Sequence, residues 1–149
     1  MNEQQSNIGI LFVMAGGYWR LRGRLEKSQN CFFNAMAVVP ERFKDVVLTN
    51  LAQLIYSSGG KVDNAILLVK SALKVAEKDP DVNFLLGNLL MAKEQPWEAL
   101  EAYQRTAKML PNYHPKLQVF LAQAKCMQSQ LHCHVNSRSG HYLIDNSYV

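Results

Sequence analysis

Apolar residues return along this chain at helical spacing. Leu117, Phe120, Leu121, Ala124, Met127 and Leu131 recur at steps that keep them on one face of a helix. Ile8 to Ala15 is apolar as well, yet far too short to span a bilayer. Further along, one pattern is written twice. Asn50-Leu51-Ala52-Gln53-Leu54-Ile55-Tyr56 is followed by Gly59-Gly60 and then by Ala65, Val69, Ala72 and Leu73. Leu85-Leu86-Gly87-Asn88-Leu89-Leu90-Met91 is followed by Ala99, Tyr103, Thr106 and Pro111. Ala65 and Ala99 are 34 residues apart, as are Ala72 and Thr106. Leu51 and Leu86 are 35 apart, so one residue was gained or lost in a turn. A third unit lies upstream, where Gly16 and Trp19 precede a turn at Gly23. Ser28, Phe32, Ala35 and Pro40 then repeat the spacing of Ala99, Tyr103, Thr106 and Pro111.

Packing explains the residue types. Where two antiparallel helices approach closely, small residues must sit between the backbones. Gly16, Ala52 and Gly87 fill that need in the first helices, and Ser28, Ala65 and Ala99 in the second. Prolines 40, 80 and 111 stop or offset helices, because proline lacks an amide donor and restricts the residue before it. The pattern predicts helices over about 7–22, 25–38, 42–57, 61–77, 81–93, 96–109 and 115–130. The expected fold is all-α: three helix pairs over residues 1–131, closed by a capping helix on the third pair. Residues 132–149 lose the period and read as a flexible tail, with no strand longer than a residue or two.

The repeat resembles the tetratricopeptide repeat. Leu86-Gly87 is similar to that family's Leu-Gly pair, and Ala99 to the small residue that opens its second helix. Tyr103 stands at the family's aromatic position and Pro111 at its closing proline. Asn83 departs from the pattern, because the family often has tryptophan there. The resemblance implies a short α-solenoid that acts as a non-enzymatic protein–protein interaction scaffold. It also implies a groove lined by the first helix of each pair: Val13, Gly17, Arg20 and Leu21, then Thr49, Gln53, Tyr56 and Ser57, then Phe84, Asn88 and Met91. Such a mixed surface suits an extended peptide or a partner helix. Tyr56, Phe84 and Met91 also admit a packing role between neighbouring repeats. Chaperone co-factors of the family clamp a C-terminal Glu-Glu-Val-Asp carboxylate with asparagine, lysine and arginine. The corresponding positions here are Gly17, Asp81 and Leu85, which argues against chaperone C-terminal tails as partners.

A narrower resemblance rests on Tyr18-Trp19-Arg20-Leu21-Arg22-Gly23, Cys31, and Lys44-Asp45-Val46-Val47 before Leu51-Ala52. Over about residues 10–127 these look like the C-terminal repeats of a large animal member of the family, linked to actin polymerisation and cilium formation. That resemblance implies a role in actin and cilium organisation, and a cytoplasmic chain associated with the cytoskeleton or the cilium. The last 22 residues fall outside it.

Composition narrows the classes further. Hydrophobic residues make up 48% of the 149 and charged residues 19%, so a core forms and disorder is disfavoured. The net charge of +4 does not demand nucleic acid. Arg20, Arg22, Arg24 and Lys27 read as a solvated helix end, without the aromatic interleaving of a nucleic-acid reader. Cys31, Cys126 and Cys133 are an odd, widely spaced set that implies no disulfide framework and fits a reducing compartment. The first residues carry an acid and no base, unlike a secretory leader.

Candidate chemistry is sparse. His132-Cys133-His134 lacks the two closely spaced ligand pairs of a zinc site. Cys31, beside Phe32 and Phe33, reads as a buried small hydrophobe. His114, before Pro115, reads as a helix entry. No catalytic group, metal site or cofactor motif is expected, and other proteins are the expected partners. An alternative to the adaptor is a structural end module of a longer solenoid. It would self-associate or pack on neighbouring repeats through the apolar face from Ile8 to Met14. Lastly, Ser147-Tyr148-Val149 resembles the C-terminal ligand of PDZ domains, with the Ser147 hydroxyl hydrogen-bonded and Val149 in an apolar pocket.

Overall fold

The computed structural model describes residues 3–111, 117–129, 133–135 and 142–144. Among these, seven α-helices follow one another: α1 (Glu3–Leu21), α2 (Leu25–Val38), α3 (Lys44–Ser57), α4 (Val62–Val75), α5 (Pro80–Ala92), α6 (Pro96–Met109) and α7 (Leu117–Ser129). A single 3₁₀ turn, Glu41–Phe43, leads into α3. The chain divides into two compact units, Met1–Lys78 and Asp79–Val149.

In the first unit α1 packs on α2, α2 on α3, and α3 on α4. Its core gathers Phe32, Ala35, Val39, Val47, Leu51 and Leu54, with Phe12, Val13, Met36 and Leu68 against them. The small residues sit where the pattern required. A Cβ on Gly16 would lie 2.5 Å from the Phe32 ring, so only glycine lets α1 rest on that aromatic. Alongside, the fully buried Ser28 hydroxyl donates to the Gly16 carbonyl at 2.8 Å, tying the two helices together.

The second unit repeats the arrangement. A Cβ on Gly87 of α5 would collide with the Tyr103 ring of α6. The middle pair reaches the same density another way: Ala52 and Val69 occupy the corresponding places, both with no exposure. A larger first-helix residue is thus matched by a smaller second-helix one. In α5, Asp79 is the N-cap, accepting from the amides of Asp81 and Val82 at 2.8 and 3.1 Å, with Pro80 in the first turn. Asn83, standing in place of a tryptophan, is 1% exposed. Its amide donates to the Asp79 carbonyl and its Oδ1 accepts from Arg105 of α6, both at 2.9 Å. α7 packs against α6 as the expected cap.

The turns show one variation. Gly23 and Gly59 close α1 and α3 in the left-handed region, with φ of 67° and 74°. After α5 that conformation falls to Glu94, at φ 59°.

Two expectations need correction. Cys133–Val135 (β1) and Tyr142–Ile144 (β2) pair antiparallel, Cys133 opposite Ile144, inside the segment predicted as a flexible tail without strands of that length. Loss of helical period hid these stretches, which hold valine, tyrosine and isoleucine, residues suited to a pleated strand. Cys126 is disulfide-bonded while Cys31 is a free thiol. The cysteine count therefore no longer speaks for a reducing compartment. No helix among the described residues is long and apolar enough to cross a membrane.

Candidate functional site

The face that carries Thr49, Gln53 and Tyr56 on α3 has one more member. Asp45, Thr49, Gln53 and Tyr56 follow at steps of four, four and three, which places them on one side of the helix. Asp45 is only 8% exposed, and its Oδ1 is buried without a hydrogen-bond partner. The Thr49 hydroxyl, one turn on, is likewise buried and unpaired. In α1, which touches α3, the Arg20 Nε is buried and unpaired too. Gln53 is half-buried and Tyr56 is 42% exposed. These side chains are a cation near the end of α1 and, along α3, a carboxylate, a hydroxyl, an amide and a phenol.

Leaving a buried polar group unpaired costs about 1–3 kcal/mol, so such groups are normally matched. Three such atoms on two touching helices leave donor and acceptor capacity unused. Arg20 donates, Asp45 accepts, and Thr49 does either. Gly17, also on α1, leaves open space where a side chain would start. Val13 contributes differently: it packs on the core around Phe32.

In the second unit two of the predicted positions make contacts within the chain. Phe84 of α5 packs with Tyr103 of α6 and Phe120 of α7, with ring centroids 5.7 and 5.2 Å apart. The Asn88 Oδ1 accepts from the Tyr103 hydroxyl at 2.8 Å. Met91 is half-buried. At the positions compared with the chaperone clamp, Asp81 is exposed and Leu85 is buried at 7%. Ser147 and Val149 lie outside the described residues, as do His114 and His132 and the side chains of Cys133 and His134. Asp45 escaped the sequence reading. The available signal was its place four residues before Thr49.

Stacked antiparallel helix pairs with small residues at each crossing define the tetratricopeptide-repeat fold, and this chain has it. No family model matches the sequence. The chain is similar to "Tetratricopeptide repeat protein 17" of Homo sapiens, 30% identical over 139 residues, which is 93% of this chain and 11% of that protein. It thus spans about a tenth of that relative's length. Among solved structures, the first such domain of Spaghetti (RPAP3), bound to the HSP90 peptide SRMEEVD, aligns with a TM-score of 0.77 at 18% identity. The alignment covers 83% of this chain and 98% of that one. The Yersinia enterocolitica type III secretion chaperone SycD, in complex with a peptide of the translocator YopD, gives 0.67 at 16%, covering 87% and 95%.

Proposed function

We propose that this chain is a non-enzymatic protein-interaction module that holds a peptide segment of another protein on the α1–α3 face. The observation that carries this reading is the set of three buried, unpaired polar atoms on Arg20, Asp45 and Thr49. A peptide backbone offers both donors and acceptors, the pair of functions those atoms lack. That two solved structures of this fold hold peptides supports the class of ligand. Gly17, Asp81 and Leu85 supply no cation at the clamp positions, which argues against a Glu-Glu-Val-Asp carboxylate as the ligand. Selecting binders from a random peptide library, then titrating them against Arg20→Ala and Thr49→Val, tests the site. Each variant should weaken binding about tenfold or more while the helix content stays the same. Unchanged affinity in both would place the ligand elsewhere.

One observation favours a second reading, the end module. Leu11, Met14, Tyr18 and Leu21 of α1 are 64%, 66%, 53% and 80% exposed. Their spacing of three, four and three is that of a helix-pairing seam. Sedimentation at increasing concentration separates the readings: a self-associating module shifts toward dimer, and Met14→Glu returns it to monomer. A role in actin polymerisation and cilium organisation, in the cytoplasm, extends the proposal by resemblance to the large relative. Localising the tagged chain in ciliated cells, with and without Arg20→Ala, checks it. The PDZ-ligand reading of Ser147 and Val149 is tested by deleting Val149 and probing a PDZ panel.

A further inference from the structure

The first unit has a cleft of about 420 Å³ walled by α2, α3 and α4. Its floor is Leu51, Leu54 and Ile55 of α3 with Ser58, the residue just after that helix. At 100° per residue these point roughly half a turn away from Asp45, Thr49, Gln53 and Tyr56. The cleft and the polar face therefore occupy opposite sides of one helix. From α2 come Leu25, Gln29 and Phe33, a stripe with four-residue steps, and from α4 come Asn64, Leu67 and Leu68. Leu25, Phe33 and Leu67 are 40%, 54% and 63% exposed, so large apolar groups face water on both walls.

We infer that this cleft is a second docking site, independent of the α1–α3 face, and that it takes an amphipathic helix of a partner protein. Three features fix the occupant. The first is the backbone requirement. An extended peptide lying here would bury amides and carbonyls against aliphatic walls, with only Gln29, Ser58 and Asn64 to meet them. A helix satisfies its own backbone and needs nothing from the walls. The second is size. The α2 stripe runs eight residue steps from Leu25 to Phe33, about 12 Å at the helical rise, or just over two turns of a guest helix laid along it. The volume falls within the ordinary range for ligand pockets, about 300–1,000 Å³. The third is charge. No lining residue is charged. Just outside, Lys70 and Lys74 are exposed on the Leu67 side of α4, against Asp63 alone. The guest should thus present two or three large apolar side chains on successive turns, flanked by neutral or acidic residues.

The probe is a set of fluorescein-labelled, stapled amphipathic helices with leucine or phenylalanine on successive turns and an acidic polar face. Controls carry the same composition in scrambled order, or alanine in place of the large residues. Fluorescence anisotropy on the full chain should show saturable binding to the patterned helices and none to either control. Leu67→Glu and Phe33→Glu, both at exposed positions, should each reduce affinity at least about tenfold. Arg20→Ala and Thr49→Val should leave it within a factor of about two. Circular dichroism and thermal melting show whether the variants remain folded; Leu67→Ser serves if Leu67→Glu does not. Several results would overturn the proposal. They are equal binding of patterned and scrambled helices, affinity unmoved by both cleft variants, or loss of binding in Arg20→Ala. Sedimentation showing a dimer that Leu67→Glu dissolves would instead assign the cleft to a second copy of this chain.

Discussion

α3 and α5 are the first helices of successive pairs, yet they treat their polar residues differently. On α3, Asp45 and Thr49 keep polar atoms that no described residue satisfies. On α5, the Asn88 carbonyl is occupied by the Tyr103 hydroxyl and the Phe84 ring by Phe120. Asn83, one turn before Gly87, is occupied by Arg105. The difference lies in what surrounds each helix. α6 brings a tyrosine whose hydroxyl reaches across to α5, and α7 brings a phenylalanine onto the same aromatics. At the place of Tyr103 the middle pair has Val69, which has neither ring nor hydroxyl. A repeat position thus defines a direction in space, and the residues around it decide whether that direction is free for a ligand.

The comparison can be broken most forcefully at the crossing it takes for granted. Gly87→Leu forces a side chain into the Tyr103 ring and should cost about 2–4 kcal/mol of stability. Thermal and urea unfolding measure it, and an unchanged midpoint would mean that α5 does not lie on Tyr103. Tyr103→Phe is the finer test of the second unit. It removes the hydroxyl from Asn88 and should cost about 1 kcal/mol in urea unfolding. Thr49→Val probes the first unit with the opposite sign. Deleting an unpaired buried hydroxyl should leave stability the same or raise it by up to about 1 kcal/mol. A loss as large as that of Tyr103→Phe would show that Thr49 is satisfied after all, and the contrast between α3 and α5 would vanish. The smallest effect belongs to Glu94→Gly. Glycine adopts a positive φ without the Cβ penalty, so the melting midpoint should rise by the equivalent of about 0.5–1 kcal/mol.

Much of this architecture is legible in the sequence because packing constrains residue size at fixed intervals. Gly16 with Phe32 and Gly87 with Tyr103 stand 16 residues apart in both pairs, and that spacing carries the antiparallel contact. The site is less legible, for hydrogen bonding leaves no such period. Nothing in the order of residues says that Asn88 meets Tyr103, or that the Asp45 Oδ1 finds no partner among the described residues. Phe84 had two readings, groove or packing, and its choice depended on Phe120 arriving from a helix outside the repeat. The strands at 133–135 and 142–144 were invisible for another reason: three residues are too few to establish an alternation.

The matched pairs at the helix crossings bear on how such a chain can change over generations. Gly87→Ala alone meets the Tyr103 ring, and Tyr103→Val alone leaves a void and strands the Asn88 carbonyl. Made together they would recreate the Ala52 and Val69 layer of the middle pair. Neither single step is neutral, whereas the double step approaches a layer this chain already uses, with the Asn88 carbonyl still to be matched. Glycine and its aromatic therefore form one heritable unit spread over two helices. Drift at either position has to wait for the other, and a graft that swaps helices between repeats should move both residues together.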